Sequence, residues 1–184
     1  MSARLGTNVT MDTVHVSWTG IRPSFVIAGL RFNDTSTSTP PLQIKNISGQ
    51  LSWLSFYHLT PYFHEITLDQ VELYAKRDSK GVVSVAGIPI HSKENDFAAE
   101  NWLLAQNNIQ INNAKIFWED QQSRKLKTSI DVQSVHLENG IRSHEAQLIT
   151  KTPWSPNPIR FQADFVHHLG GQAGNWRDWI GSVS

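Results

Sequence analysis

Val14, Val16 and Trp18 alternate with polar neighbours, the two-residue period of a strand buried on one face. Phe25 to Phe32 reads as a second strand, with Gly20 to Pro23 as the turn between them. Asn33 to Pro41, all Asn, Asp, Thr, Ser and Pro, is expected to be a surface loop, and pairing resumes at Leu42. His64 to Arg77 and Val82 to Ile90 read as strands joined by Asp78-Ser79-Lys80-Gly81, where Asp starts the turn and Gly takes the positive φ that closes it. Asn139-Gly140, between Thr128 to Glu138 and Ile141 to Thr150, is a strong two-residue hairpin signal. Ile159 to Val166 follows a Pro-rich loop from Pro153 to Pro158, and the end of the chain carries Trp176 and Trp179.

Two segments change period. From Trp53 to Thr60 the rings, Leu54 and Leu59 fall at helical spacing, and Pro61 stops the segment. Asn95 or Asp96 can cap a helix from about Phe97 to Gln106, with Trp102, Leu103 and Leu104 on its buried side. The expected architecture is mainly β (α+β): a curved antiparallel sheet forming part of a groove, with two short helices, in a single module over 1–184 whose residues 167–184 form an incomplete tail.

One octet recurs, apolar at its first, third, sixth and eighth positions. It covers Ile66, Leu68, Val71 and Leu73; Ile109, Ile111, Ala114 and Ile116; and Ile130, Val132, Val135 and Leu137. With 39% hydrophobic residues, chance supplies this strict pattern roughly 0.6 times in such a chain, so three copies are an excess. Looser copies stand at Phe25/Ile27/Leu30/Phe32, Leu42/Ile44/Ile47 and Val83/Val85/Ile88/Ile90; such matches are common by chance and carry little weight. The three-residue step in the middle would turn the second apolar pair to the opposite face unless a bulge absorbs one residue. Bulges or bends are therefore expected at Asp69-Gln70, Asn112-Asn113 and Gln133-Ser134, and tight turns at the same dipeptides are the competing account. Either way one sheet face is continuously apolar. It is either a core under the two helices or an uncovered surface, and two short helices are little cover for so many strands.

Composition narrows the function. Lys plus Arg equals Asp plus Glu at 16 each, so nothing favours nucleic acid as a partner. Cysteine is absent, which removes disulfides, thiolate metal sites and a cysteine nucleophile and is compatible with an oxidising compartment. No run approaches the ~20 apolar residues of a membrane-spanning helix, and the chain is expected to be soluble. Seven Trp and eight Phe are a heavy load of rings, suited to a pleated core or to holding something apolar. No Gly-x-Ser-x-Gly elbow, phosphate-cradling Gly loop, Gly-x-Gly-x-x-Gly or His-Glu-x-x-His occurs, and Asp69, Glu72, Asp131 and Glu138 alternate with apolar residues as a solvated strand face. His58 with His64, and His167 with His168, lack ligand spacing. The expectation is a non-enzyme with no catalytic residue, metal or cofactor.

Longer spacings carry a resemblance. Val14, Trp18, Gly20 and Pro23 come first. Ile66 to Leu73 then leads through Asp78 and Gly81 to Val85-Ala86-Gly87, and Asn101 to Gln106 leads into Ile109-x-Ile111-x-x-Ala114-x-Ile116-x-Trp118-x-Asp120. Val135-x-Leu137-x-Asn139-Gly140 and His144 follow. Together these span nearly the whole chain and resemble the AsmA-like superfamily of Gram-negative envelope proteins, most of all its large YhdP-type members. The resemblance implies a periplasmic segment cut from the N-terminal part of a longer parent, anchored in the inner membrane by an upstream helix. It implies a bridge-like carrier moving phospholipid between inner and outer membranes, with acyl chains as partners, and the octets then give Ile66, Leu68, Val71, Leu73, Ile109, Ile111, Ile116, Ile130, Val132, Val135 and Leu137 as the lipid-facing side. A scaffold module whose apolar face docks other envelope proteins is the alternative.

Overall fold

The computed structural model describes residues 7–34, 42–85, 88–89, 98–123, 126–152, 155, 157–168 and 179–184. These form one open, curved, mixed sheet with two short helices. Its strands are β1 (Thr7–Thr10), β2 (Thr13–Thr19), β3 (Arg22–Asp34), β4 (Leu42–Leu51), β5 (Phe63–Arg77), β6 (Val83–Val85), β7 (Ile88–Pro89), β8 (Asn108–Asp120), β9 (Leu126–Asn139), β10 (Ser143–Lys151), β11 (Ile159–His167) and β12 (Trp179–Val183). Helix α1 (Leu54–His58) lies between β4 and β5, and α2 (Ala98–Leu104) precedes β8. The main path runs β1-β3-β4-β5-β8-β9-β10-β11-β12, with β2 on β3 and the β6–β7 hairpin on the far end of β5.

The sheet is not antiparallel throughout. β5 and β8 pair in parallel, Ile66 beside Ile109 and Arg77 beside Asp120. Parallel neighbours need a crossover, and residues 78–107, with β6, β7 and α2, supply it. Three further expectations are corrected. Val82 to Ile90 is not one strand: β6 and β7 within it pair antiparallel, Val85 opposite Ile88. Asn33 and Asp34 continue β3 against Asn8 and Thr7 of a first strand that alternation did not reveal; the rest of the expected Ser/Thr/Pro loop, much of Pro153 to Pro158, and Trp176 lie outside the described residues. The β9–β10 hairpin forms, but Asn139-Gly140 is not a two-residue turn: Asn139 is the last residue of β9, opposite His144, and the connection is 140–142, closed by Gly140 N–H donating to Ser143 O at 2.8 Å. The Asp78 turn forms as expected. Its carboxylate accepts from the N–H groups of Lys80 and Val82 at 2.8 and 2.9 Å, and Gly81 has φ 87°.

The octet's three-residue step becomes a crease across the sheet. Gln70 and Asn113 take φ 54° and 55° and Gly29 takes φ 65°, left-handed values that turn the chain by one side-chain position. The positions beside them align. Asn46 opposes Asp69 and Ile44 opposes Val71; Asn112 opposes Ser134 and Ala114 opposes Val132. Neighbouring strands therefore step at one level and keep register, and the mismatch is released only at β9–β10, where Gln133 is passed between Ile149 and Thr150. At the other edge the crease reaches Met11-Asp12, the break between β1 and β2. There Asp12 Oδ2 stands 1.9 Å from where a Cβ on Gly29 would be, so a larger residue would displace the Asp12 carboxylate, and the left-handed φ favours glycine.

At the end of the sheet away from both helices, Asp120 is almost fully buried and held by Arg77 through both carboxylate oxygens. That bond, helped by the N–H groups of Gln122 and Ser123, keeps its carboxyl well below the usual carboxylate range.

A β-branched residue is disfavoured at left-handed φ by about 1–2 kcal/mol. Gln70→Val is expected to lower the unfolding free energy by roughly that much in urea denaturation, while Gln70→Gly leaves it unchanged or raises it. Equal effects of the two would show that the backbone at 70 is not what sets the crease.

Candidate functional site

The register places the octets in rows that cross the sheet. One runs Ile27, Ile47, Leu68, Ile111, Val135, Leu148, each beside the next. Beside the crease lies Leu30, Ile44, Val71, Ala114, Val132, and outside it Phe32, Leu42, Leu73, Ile116, Ile130. Side chains directly opposite on paired strands share a face, so the rows form one apolar surface. Its most buried members are Leu30, Ile44, Ile47, Val71, Ala114 and Val132, five of them the row at the crease. Packed against these and only half-buried are Ile66, Leu68, Ile111, Ile116, Ile130 and Val135.

Of the eleven residues singled out from the sequence, Val71, Ile109 and Val132 are buried, and the other eight, Leu73 and Leu137 among them, keep partial exposure. All eleven lie on this face by register. The looser copies in β3 and β4 belong to it equally, Leu30, Ile44 and Ile47 being core and Phe25, Ile27, Phe32 and Leu42 packed on it. Their signal was the shared three-residue step. It is weak in one strand and informative only once the strands are known to be neighbours. The third loose copy, in β6 and β7, is the hairpin described above.

The opposite face is polar and locally paired. Asn113 Nδ2 donates to Asp69 Oδ1 at 3.0 Å, and Lys115 lies 3.6 Å from Asp131. A cavity of about 940 Å³ follows the crease, lined by side chains of both charges, among them Arg31, Lys45, Glu72, Lys115 and Asp131.

At the helix-bearing end the apolar face finishes in rings. Gly49 leaves room for Phe25, whose ring approaches within 3.0 Å of a Cβ built there. Phe63 packs between Phe25 at 5.7 Å and Trp102 at 6.3 Å, and the Trp102 indole N–H donates to Pro61 O at 3.1 Å. Gln106, fully buried, ties α2 to the sheet: its Oε1 accepts from Phe63 N–H at 2.8 Å and its Nε2 donates to Trp102 O at 2.5 Å. Asn139 Nδ2 donates to Gln106 O at 2.6 Å, so its Oδ1 is left to accept, and His144 Nδ1 lies 2.7 Å from it. His144 Nε2 then accepts from His167 Nδ1 at 3.1 Å. Burial, and secondarily the neighbouring His167, push the His144 imidazolium towards its neutral form, below the ordinary histidine range. This clasp explains why Asn139 ends a strand: its side chain is committed to α2.

Among the described residues no group of three or more His, Cys, Asp or Glu is placed to hold a metal, and no helix is long and apolar enough to cross a membrane.

Comparison with known families finds a match over residues 1–183 to the family described as YhdP protein. No curated protein matches.

A histidine with depressed pKa contributes its stability above the unfolded value of about 6.5, and that contribution falls as pH drops below it, because only the unfolded chain then takes up the proton. Urea midpoints should therefore decline from pH 7.5 to 5.5 in the wild type and decline less in His144→Gln. Asn139→Ala, which strands Gln106 O and His144 Nδ1, should cost roughly 1–3 kcal/mol at neutral pH.

Proposed function

The chain belongs to the YhdP family, whose members are envelope proteins linked to lipid transport, and from that premise we propose that it is a non-catalytic segment of a bridge-like lipid carrier. In this reading acyl chains lie against the apolar face while phospholipid passes between inner and outer membranes, and the parent chain is periplasmic and anchored in the inner membrane.

The observation that carries the reading is the set of rows. Apolar side chains from β3 to β10 form one surface with no second layer of strands over it among the described residues, and eight of the eleven named side chains remain partly open to solvent. Contiguous apolar surface of more than a few hundred Å² is uncommon on soluble monomers and marks sites that bind something apolar. The crease keeps that surface continuous: without the left-handed step, half of each strand would turn its polar residues towards the lipid. Charge plays no part on this face, which suits acyl chains and not headgroups. A sheet that only lays chains alongside itself needs no nucleophile, acid or metal, in keeping with a mechanism of passive guidance. The face is also bordered by rings, Phe25, Phe63 and Trp102, suited to the wetter end of an acyl path.

Purification from a Gram-negative host without detergent, followed by solvent extraction and mass spectrometry, should recover phospholipid with the wild-type chain. Leu68→Asp and Ile111→Asp should each recover several-fold less while retaining the wild-type circular dichroism. Lipid-free wild type, together with no crosslink from a photoreactive side chain at 68 to lipid in the full-length parent, would instead favour the docking of other envelope proteins on this face.

A further inference from the structure

The end of the sheet that carries α1 and α2 also carries the turn between β2 and β3 and the connection between β9 and β10, because β4, β8 and β9 all begin or finish there. These tips hold large apolar side chains that stability does not explain. Trp18 and Ile21 are 65% and 73% exposed, Leu59 is 92% exposed and Ile141 is 95% exposed. Trp53 packs its ring on Trp18 at 6.4 Å and on Phe56 at 5.4 Å, yet Trp53 and Phe56 remain more than half exposed. Leu59 stands at φ 52°, a left-handed position that Gly or Asn would occupy at lower cost. A leucine there gains nothing from the fold.

Charge is distributed with the same asymmetry. The tip segments 18–23, 51–62, 98–107 and 139–143 contain Arg22 and Arg142 and a single carboxylate, Glu100 in the first turn of α2. The turns at the opposite end hold Asp78, Lys80, Asp120 and Lys127, and 78–82 and 121–123 contain no exposed large apolar residue, although Ile159 at the start of β11 is 45% exposed there. Tryptophan and tyrosine settle at the headgroup level of a bilayer, where an apolar ring body and a polar edge are both satisfied. Neighbouring arginines draw such a surface to anionic lipid, whereas carboxylates would repel it. Isolated tips on separate loops also suit a broad, deformable surface better than the close-fitting patch that a protein partner requires.

We propose that this end of the sheet is a bilayer-docking rim, resting on an anionic phospholipid surface with Trp18, Ile21, Trp53, Phe56, Leu59 and Ile141 immersed at headgroup depth and Arg22 and Arg142 on lipid phosphates. The rim stands on its own observations and does not need the apolar face to carry lipid. The rings Trp102, Phe63 and Phe25 form a separate group at the same end of the sheet.

The test is flotation of the purified chain with vesicles containing phosphatidylglycerol, beside vesicles of phosphatidylcholine alone, with brominated acyl chains to quench tryptophan emission. The wild type is expected to float with anionic vesicles and to be quenched. Phe56→Ser/Leu59→Asn should lose more than about tenfold in vesicle affinity and lose the quenching, with unchanged circular dichroism. Arg22→Gln/Arg142→Gln should lose the preference for phosphatidylglycerol, and Val16→Ser, an exposed change within β2, should have no effect. The proposal is overturned if the wild type does not float or if the Phe56/Leu59 variant floats as well as the wild type. It is equally overturned if that variant's only change, seen in sedimentation velocity, is the loss of self-association. Because vesicle binding is read without any lipid extracted from the protein, failure here leaves acyl-chain carriage to its own experiment.

Discussion

A strand whose apolar residues are separated once by three positions cannot keep them on one face unless its backbone departs from extended geometry at that step. In this protein the departure is a left-handed residue, Gln70 in β5 and Asn113 in β8, with Gly29 doing the same in β3. Hydrogen-bonded neighbours cannot bend independently, since a step taken by one strand alone would displace every later pair. The steps therefore fall at one level from β3 to β9, and the register holds through all of these joints at the crease until Gln133 is left over against β10. From this single constraint follow the bend of the sheet, the row of best-buried side chains beside it, and the continuity of the apolar face.

A sheet with so thin a covering depends on its ends. Each end is closed by buried polar groups that are paired: Asp120 with Arg77 at one, and Gln106, Asn139, His144 and His167 at the other. Breaking such a set leaves an unsatisfied partner in a desolvated place, which is costly. The second set is also what docks α2 and so directs the crossover that brings β8 alongside β5 in parallel. The helices thus order the chain at one end, and among the described residues no second layer of strands lies over the apolar face, the arrangement that supports the lipid-carrying reading.

Much of this was legible locally. The Asp78 to Gly81 turn, the hairpin at Gly20, both helices to within a few residues and the bends at Gln70 and Asn113 follow from side-chain chemistry or from parity. Where local signals misled, a distant partner had overridden them. Asn139 precedes glycine, as hairpin turns require, but its amide is spent on Gln106 O. Val83 to Ile90 copies the apolar spacing of the octets, yet β6 pairs with β7 of the same stretch instead of running on as one strand.

The amino-acid order by itself determined which residues of each strand share a face and where each strand must bend, because alternation and its interruption are properties of a single stretch of backbone. It also determined that no charge excess and no catalytic motif accompany those faces. Only the tertiary structure decided that the loose copies in β3 and β4 stand in the same rows as the strict octets, that β5 and β8 run parallel, that Val71, Ile109 and Val132 are buried where Leu68 and Ile111 are not, and that the tips rich in Trp and Leu gather at one end. Each of these depends on which strand lies beside which, and strand neighbours are chosen by contacts between residues far apart in the chain, to which the periodicity of any one segment is blind.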